Sequence, residues 1–354
     1  MSKRAFILGG TGFIGTAVAR RFVRAGWNVV VASRGERPVS PDLEELGVRV
    51  ERVDRTNTGE LEKALDDGAD ALVDIVAYTR ADAEQLVAAS GNVGTIVAIS
   101  TGAVYVDASG RHLWTPYGAE AVAEIPDSIS EDQRTVAPDD ETYPGQKAAM
   151  EETLLNLEST AATVVRAPAV YGPGDSTSRE WYFVKRALDG RQRIGLHDRG
   201  KNVYQCIFVE NLAEVIVLAA DKPGSRVVNA GDERPLTVLD RSRLIAAALD
   251  HDWAELLLPG PPPTGRGPGD ATAHPWSVAE PFVFDLTRAR RELGYKPPIT
   301  NERAVELTCE WLVDVTRNRE WTDVLGPPPE VWETESLLFD YASEDIYFKS
   351  WLSP

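Results

Sequence analysis

Ala5-Phe6-Ile7-Leu8-Gly9-Gly10-Thr11-Gly12-Phe13-Ile14-Gly15 opens the chain and runs into Thr16-Ala17-Val18-Ala19-Arg20-Arg21-Phe22-Val23. The unbroken apolar run 5–8 reads as a strand buried on both faces, and the apolar residues after Gly15 recur at helical spacing. Strand, glycine loop and helix, in that order, are the context in which glycines at 9, 12 and 15 serve a pyrophosphate. They allow a tight turn, close approach of backbone N–H groups and tight packing of helix on strand, while the helix N-terminus offers free N–H groups and positive dipole. Gly9, Thr11, Gly12, Phe13, Ile14 and Gly15 are therefore the expected contacts of a bound dinucleotide.

The next apolar run, Asn28-Val29-Val30-Val31-Ala32, predicts a second buried strand. A domain preferring NAD usually places an acid after this strand, which bonds the adenosine ribose hydroxyls and repels a 2′-phosphate. Here Ser33-Arg34-Gly35 follows, with Arg37 beyond and no acid at the strand end. Arg34 can fork onto phosphate oxygens and the Ser33 hydroxyl adds a hydrogen bond. The pair predicts a preference for NADP(H), with NAD(H) possible.

Alternating strand and helix patterns continue through the first half. Strands are expected at 48–53, 71–76, 95–100 and 163–166, and helices at 60–65, 81–89 and 146–157. That alternation calls for an α/β fold, a Rossmann-type doubly wound parallel sheet with helices on both faces. The acidic, turn-rich stretch 107–140 is longer than a connection needs, as lids and binding loops are. Beyond Tyr171 the pattern breaks into irregular segments, including the proline-rich run 259–269. Residues 1–170 with about 205–231 are expected to form the nucleotide-binding domain. Residues 171–204 and 232–354 are expected to form a smaller substrate-binding region, ending in an aromatic tail (Trp321, Trp332, Phe339, Tyr341, Tyr347, Phe348 and Trp351) packed onto the body.

Tyr143-Pro144-Gly145-Gln146-Lys147 lies downstream of the strand ending Ser100-Thr101. On a helix the i, i+4 spacing puts phenol and ammonium on one face, where the cation is expected to stabilise phenolate and lower the tyrosine pKa from about 10. Such a tyrosine exchanges a proton with a substrate oxygen near neutral pH.

Composition narrows the function classes. The 354 residues carry 43% hydrophobic residues, enough for a sizeable core, and a net charge of −18. That acidity argues against nucleic acid as a partner, since such affinity comes from clustered Lys and Arg on phosphates. One cationic run, Lys185, Arg186, Arg191, Arg193, Arg199 and Lys201, interrupted by Asp189 and Asp198, stands out against this acidity. No apolar stretch reaches the roughly 20 residues that span a bilayer, and the short opening before the first strand leaves no room for a signal peptide, so no membrane association and a cytoplasmic location are expected. Two cysteines and four scattered histidines provide neither a disulfide framework nor metal-ligand spacing.

Taken with Val53-Asp54-Arg55, Ile99 to Tyr105, Val165 to Gly174, Ile207 to Ala213, Val228 to Gly231 and Phe284 to Tyr295, these motifs make the chain resemble an extended short-chain dehydrogenase/reductase, the group that includes nucleotide-sugar epimerases. The resemblance implies catalytic roles for Thr101, Tyr143 and Lys147. Thr101 would polarise the substrate oxygen, and Lys147 would also reach the nicotinamide ribose. It places Asp54 against the adenine, or alternatively in a turn. Val76 and Ala77 at the end of the fourth expected strand, and Ala167 just past the sixth, join the implied cofactor contacts, and the resemblance sets the cationic run 185–201 over the substrate, where it would receive a phosphorylated or carboxylated group. It further suggests a homodimer formed through the helix bearing Tyr143 and Lys147.

Two departures bear on the reaction. Dehydratases of this type place Asp-Glu after the catalytic Thr, whereas Gly102-Ala103 stands here. Several epimerases place Arg before the strand that begins here at Cys206, where Tyr204-Gln205 stands, leaving Arg266 as one remote cation. The reading that follows is an NADP(H)-dependent reductase of a polar small molecule. The alternatives are a sugar or nucleotide-sugar epimerase and, third, a non-catalytic or RNA-binding relative.

Overall fold

The computed structural model describes residues 2–36, 39–57, 59–113, 123–261, 272, 274–276, 280–326 and 338–352. Arg37, Arg266, residues 262–269 of the proline-rich run and Trp332 lie outside them. The seven-stranded sheet is built from β1 (Arg4–Leu8), β2 (Asn28–Ser33), β3 (Arg49–Arg52), β4 (Ala71–Asp74), β5 (Thr95–Thr101), β6 (Ala161–Ala167) and a seventh strand, Arg226–Asn229. Its order is seventh-β6-β5-β4-β1-β2-β3, and every pairing is parallel. Helices α1 (Phe13–Arg24), α2 (Pro41–Glu45), α3 (Glu60–Ala64), α4 (Arg80–Ala88) and α5 (Tyr143–Leu155) are the crossovers between these strands.

The apolar runs read as strands are buried as expected: Ala5, Phe6, Ile7, Val31 and the whole of 71–73 have essentially no exposure. β3 is the exception, an edge strand whose Arg49, Glu51 and Arg52 charge the open side against further pairing. Both faces of the sheet carry apolar layers. Ala17, Val18 and Phe22 of α1 lie on one face, and Met150 and Leu154 of α5 on the other.

Past β6 come β7 (Ala169–Tyr171), α6 (Trp181–Leu188), β8 (Arg193–Leu196), β9 (Cys206–Phe208) and α7 (Val209–Asp221). The seventh sheet strand, β10, follows, then α8 (Val238–Ala248), β11 (Ala254–Leu257), α9 (Asn301–Thr316) and α10 (Tyr341–Leu352). Here the expected return to the sheet divides in two. Residues 226–229 join β6, whereas 206–208 pair with β7 in a separate two-stranded ribbon. A third apolar cluster gathers Trp181, Phe183, Trp253, Trp276 and Leu312 away from the main sheet.

The long stretch after β5 is tied down at both described ends. Tyr105 bridges to Thr135, Val106 to His112, and the fully buried Ile129 to Phe284. Among the described residues no helix is long and apolar enough to cross a membrane. No group of three His, Cys, Asp or Glu there could hold a metal. Cys206 and Cys309 are buried free thiols, each pushed up by burial.

Candidate active site

Connections from β1 run one way to β2 and β3 and the other way to β4 and beyond, so the carboxyl ends of β1 and β4 open a crevice. Gly9 sits there at φ +78° and donates its N–H to Ala32 O at 2.9 Å. Gly12 precedes α1 with no side-chain cap, and the first turn of that helix carries no acid. The helix therefore directs unpaired N–H groups and unscreened dipole into the crevice. A Cβ on Gly15 would stand 2.1 Å from Gly9 O. Gly15→Ala is thus expected to push the loop off the helix, destabilising the protein by about 1–3 kcal/mol, as overpacking does, and weakening binding of an NAD(P) dinucleotide. Thermal unfolding and a fluorescence titration check both, and unchanged values would refute the close approach.

The crevice encloses about 400 Å³ and is lined by Gly9, Thr11, Gly12, Ser33, Arg34 and Val76 among the residues expected at a cofactor. Phe13 and Ile14 pack at the start of α1 instead. Ala77 and Ala167 are buried at strand ends and are not among its lining residues. Asp54 takes the turn role. Its Oδ1 accepts Thr56 N at 3.0 Å and Thr56 Oγ1 at 2.7 Å, and the residue borders a neighbouring surface groove. Those two bonds hold its carboxyl below the usual range.

Several lining residues were not expected as cofactor contacts, among them the charged Glu36, Arg55 and Asp82. Glu36 borders the crevice and pairs with Arg34 at 3.0 Å, so an acid does stand near the end of β2, two residues beyond the arginine. Arg55, next to the expected Asp54, also lines it; the Val53-Asp54-Arg55 motif was the available signal.

Thr101 closes β5, accepts Ala103 N at 3.2 Å and hydrogen-bonds the Tyr143 phenol. Tyr143 is the first residue of α5. Thr142 caps that helix through Gly145 N at 3.1 Å, and Pro144 fits the first turn, where its missing N–H costs nothing. The tyrosine is 43% exposed, and its ring lies 5.2 Å from that of Tyr78.

Lys147 follows one turn later, only 6% exposed, and donates Nζ to Ala77 O at 2.7 Å and Ile99 O at 3.0 Å. This corrects the expected electrostatics. The ammonium is spent on backbone carbonyls at the ends of β4 and β5, and burial raises the Tyr143 phenol, opposed by the Thr101 hydrogen bond. Burial also brings Lys147 down to about 8, opposed by Asp74, Glu151 and Asp82.

Beside Thr101, a Cβ on Gly102 would lie 2.3 Å from Phe284 Cζ and 3.1 Å from Phe282 Cζ. Tyr204 stacks on Phe282 at 5.5 Å. Buried phenyl rings therefore fill the space beside the strand end and leave no room for a carboxylate at 102.

The cationic run does not face these rings. Lys185 pairs with Asp189 at 2.7 Å. Arg186 is buried against Glu344 of α10, and Arg191 pairs with Glu344 and Asp345. Arg193, Arg199 and Lys201 are exposed. The aromatic tail packs on the body in part: Phe348 is buried against Gly195 and Tyr341 donates to Asp189 at 2.6 Å, whereas Trp351 is exposed. The side chain of Arg179, half-buried before α6, has no hydrogen-bond or ion-pair partner among the described residues. Its charge acts on the Tyr204 phenol, which packing pushes up to about 12.

The model of the NAD dependent epimerase/dehydratase family matches residues 5–231. Among curated proteins, the chain is 27% identical to uncharacterized protein y4nL of Sinorhizobium fredii, over 48% of this chain and 54% of that one, so it spans about half of that relative. It is 27% identical to 2'-dehydrokanamycin reductase of Streptomyces kanamyceticus, covering 72% and 69%. With dTDP-glucose 4,6-dehydratase of Streptomyces niveus the identity is 25%, covering 92% and 97%. UDP-glucose 4-epimerase of Thermotoga maritima shares the fold at TM-score 0.64 and 20% identity, over 88% of this chain and 99% of that one.

Proposed function

Because the chain belongs to the NAD dependent epimerase/dehydratase family, we propose that it is an NADP(H)-dependent reductase or alcohol dehydrogenase acting on a polar small molecule. The observation that carries this is the meeting of Thr101 and Tyr143 at the end of β5, above a buried Lys147 and beside the glycine-loop crevice. The crevice fits a dinucleotide. Gly15 leaves backbone where a Cβ would sit, and the uncapped α1 faces the place for a pyrophosphate. When bound, the nicotinamide supplies or accepts hydride.

The chain's own groups handle the proton. A phenol kept undissociated by burial is the form that gives a proton to a carbonyl oxygen, and the Thr101 hydroxyl holds that oxygen beside it. Lys147, one turn further along α5, is anchored on the Ala77 and Ile99 carbonyls. We assign Gly9, Thr11, Gly12, Ser33, Arg34 and Val76 to the cofactor, and residues 1–170 with about 205–231 to the domain that holds it. The remaining region and its separate apolar cluster are assigned to substrate. Arg179, whose charge acts on the Tyr204 phenol, favours a polar substrate with an acidic group over a purely apolar ketone. The filled space at Gly102 argues against dehydration, which needs an acid there.

The Arg34–Glu36 pair is more than half exposed on both sides, so it contributes little, and a 2′-phosphate can take the guanidinium from it. Arg34→Ala is expected to weaken NADPH far more than NADH in parallel titrations. Equal weakening would place 2′-phosphate recognition elsewhere. Glu36 itself favours a second reading, an NAD-retaining epimerase, because it sets a carboxylate near the ribose side of the crevice. Absorbance at the nicotinamide band separates the two, since an epimerase cycles its cofactor without net consumption.

A further inference from the structure

Asp74 is the only charged residue of β4 and is completely buried. Its Oδ1 accepts Val76 N at 2.8 Å and Ala77 N at 2.7 Å, and its Oδ2 accepts Arg55 Nη1 at 2.6 Å. Arg55 is held on its other edges as well, by Gln85 Oε1 at 3.0 Å and Asp82 O at 2.9 Å, and it lines the crevice. Ala77, whose N–H Asp74 holds, gives its carbonyl to Lys147 Nζ at 2.7 Å. One carboxylate is therefore bonded to the crevice wall on one side and to the peptide that seats the lysine on the other. We propose that Asp74 is a positioning residue linking the dinucleotide crevice to Lys147: it fixes the Ala77 carbonyl and keeps the ammonium protonated, to a degree set by how much of its charge Arg55 shares.

The charges around Lys147 leave this role to Asp74. From its own helix Glu151 faces it, but that carboxylate is bound to Arg166 of β6 at 2.6 Å. From α4 comes Asp82, whose carboxylate caps Thr79 and Tyr78 N–H groups and lies 3.4 Å from Arg55. Tyr78 and Tyr143 present rings. Asp74 is the foremost of the three carboxylates opposing the effect of burial. A buried ammonium without such a partner loses its proton. The role of Lys147 rests on the reductase reading above; its titration does not.

The test follows the Lys147 side chain by NMR against pH in the full chain, assigned by comparison with Lys147→Arg. The wild-type midpoint is expected near 8. Asp74→Asn should lower it by roughly one unit, the effect of removing a nearby opposite charge, and Arg55→Gln should raise it, because Asp74 then acts on the lysine alone. These opposite directions are what a merely structural role would not produce. An unchanged midpoint in either folded variant, or the same direction in both, overturns the proposal. If Asp74→Asn does not fold, Arg55→Gln decides: an upward shift supports the link, and no shift or a downward one overturns it. The pH profile of NADPH oxidation is read alongside. Activity that needs the ammonium is lost as pH rises through the lysine midpoint, so its alkaline limb should move down in Asp74→Asn. Shifted midpoints with no NADPH oxidation on any substrate would sink the reductase reading while leaving the link between Asp74 and Lys147 intact.

Discussion

Tyr143→Phe is expected to leave NADPH affinity nearly intact and to lower turnover by about 10²-fold or more, the range for loss of a general acid. The ring remains free to pack against Tyr78, so the first turn of α5 should stay in place. What disappears is the hydroxyl that meets Thr101, and with it the proton for the substrate oxygen. Steady-state kinetics with a substrate found by screening ketones, together with a cofactor titration, provides the check. Turnover equal to wild type would remove Tyr143 from the mechanism. Reduced cofactor affinity with unchanged turnover would make it a binding residue only.

The second large effect concerns stability. Glu344 is fully buried, reaches Arg186 at 3.2 Å and accepts Arg191 at 2.8 Å. Glu344→Ala would leave the guanidinium of Arg186, itself without exposure, short of its countercharge, and breaking a buried pair from one side costs about 3–5 kcal/mol. Denaturant unfolding should show that loss, and protease should then reach α10 in otherwise native protein. Glu344→Gln keeps the shape and one acceptor oxygen, so it should lose less. If Glu344→Ala unfolds at the wild-type midpoint, α10 is not held by this pair.

That second prediction shows why a charge pattern misleads when read along the chain alone. Lys185, Arg186 and Arg191 form a local excess of cations; Lys185 pairs locally with Asp189, but the partners of Arg186 and Arg191, Glu344 and Asp345, lie about 150 residues away. Nothing in the local spacing announces that pairing, because it arises only when α10 folds back over α6. Arg179 is the opposite case, a single unremarkable arginine that becomes notable when its side chain proves to have no hydrogen-bond or ion-pair partner among the described residues.

Lys147 teaches a related lesson about direction. Helical spacing correctly placed it one turn from Tyr143, but where its flexible stem ends depends on acceptors that other elements supply. A buried ammonium must be hydrogen-bonded. The acceptors within reach are the carbonyls of Ala77 and Ile99, so the charge went beneath the phenol's neighbourhood and the expected depression of the tyrosine did not follow.

The parallel sheet, its first six strands, the glycine turn and the place of the Thr, Tyr and Lys triplet were determined by the sequence itself. Each depends on short-range periodicity, burial of unbroken apolar runs, or the glycines themselves, a left-handed turn at Gly9 and a close backbone approach at Gly15. Tertiary structure alone decided which charges pair, that Asp54 turns into its own loop while Arg55 faces the crevice, that Asp74 joins Arg55 to the peptide beneath Lys147, and that phenyl rings fill the space at Gly102. The physical reason is range. A side chain's backbone conformation is set by its neighbours in sequence, whereas its partners and ionisation are set by whatever the folded chain packs around it.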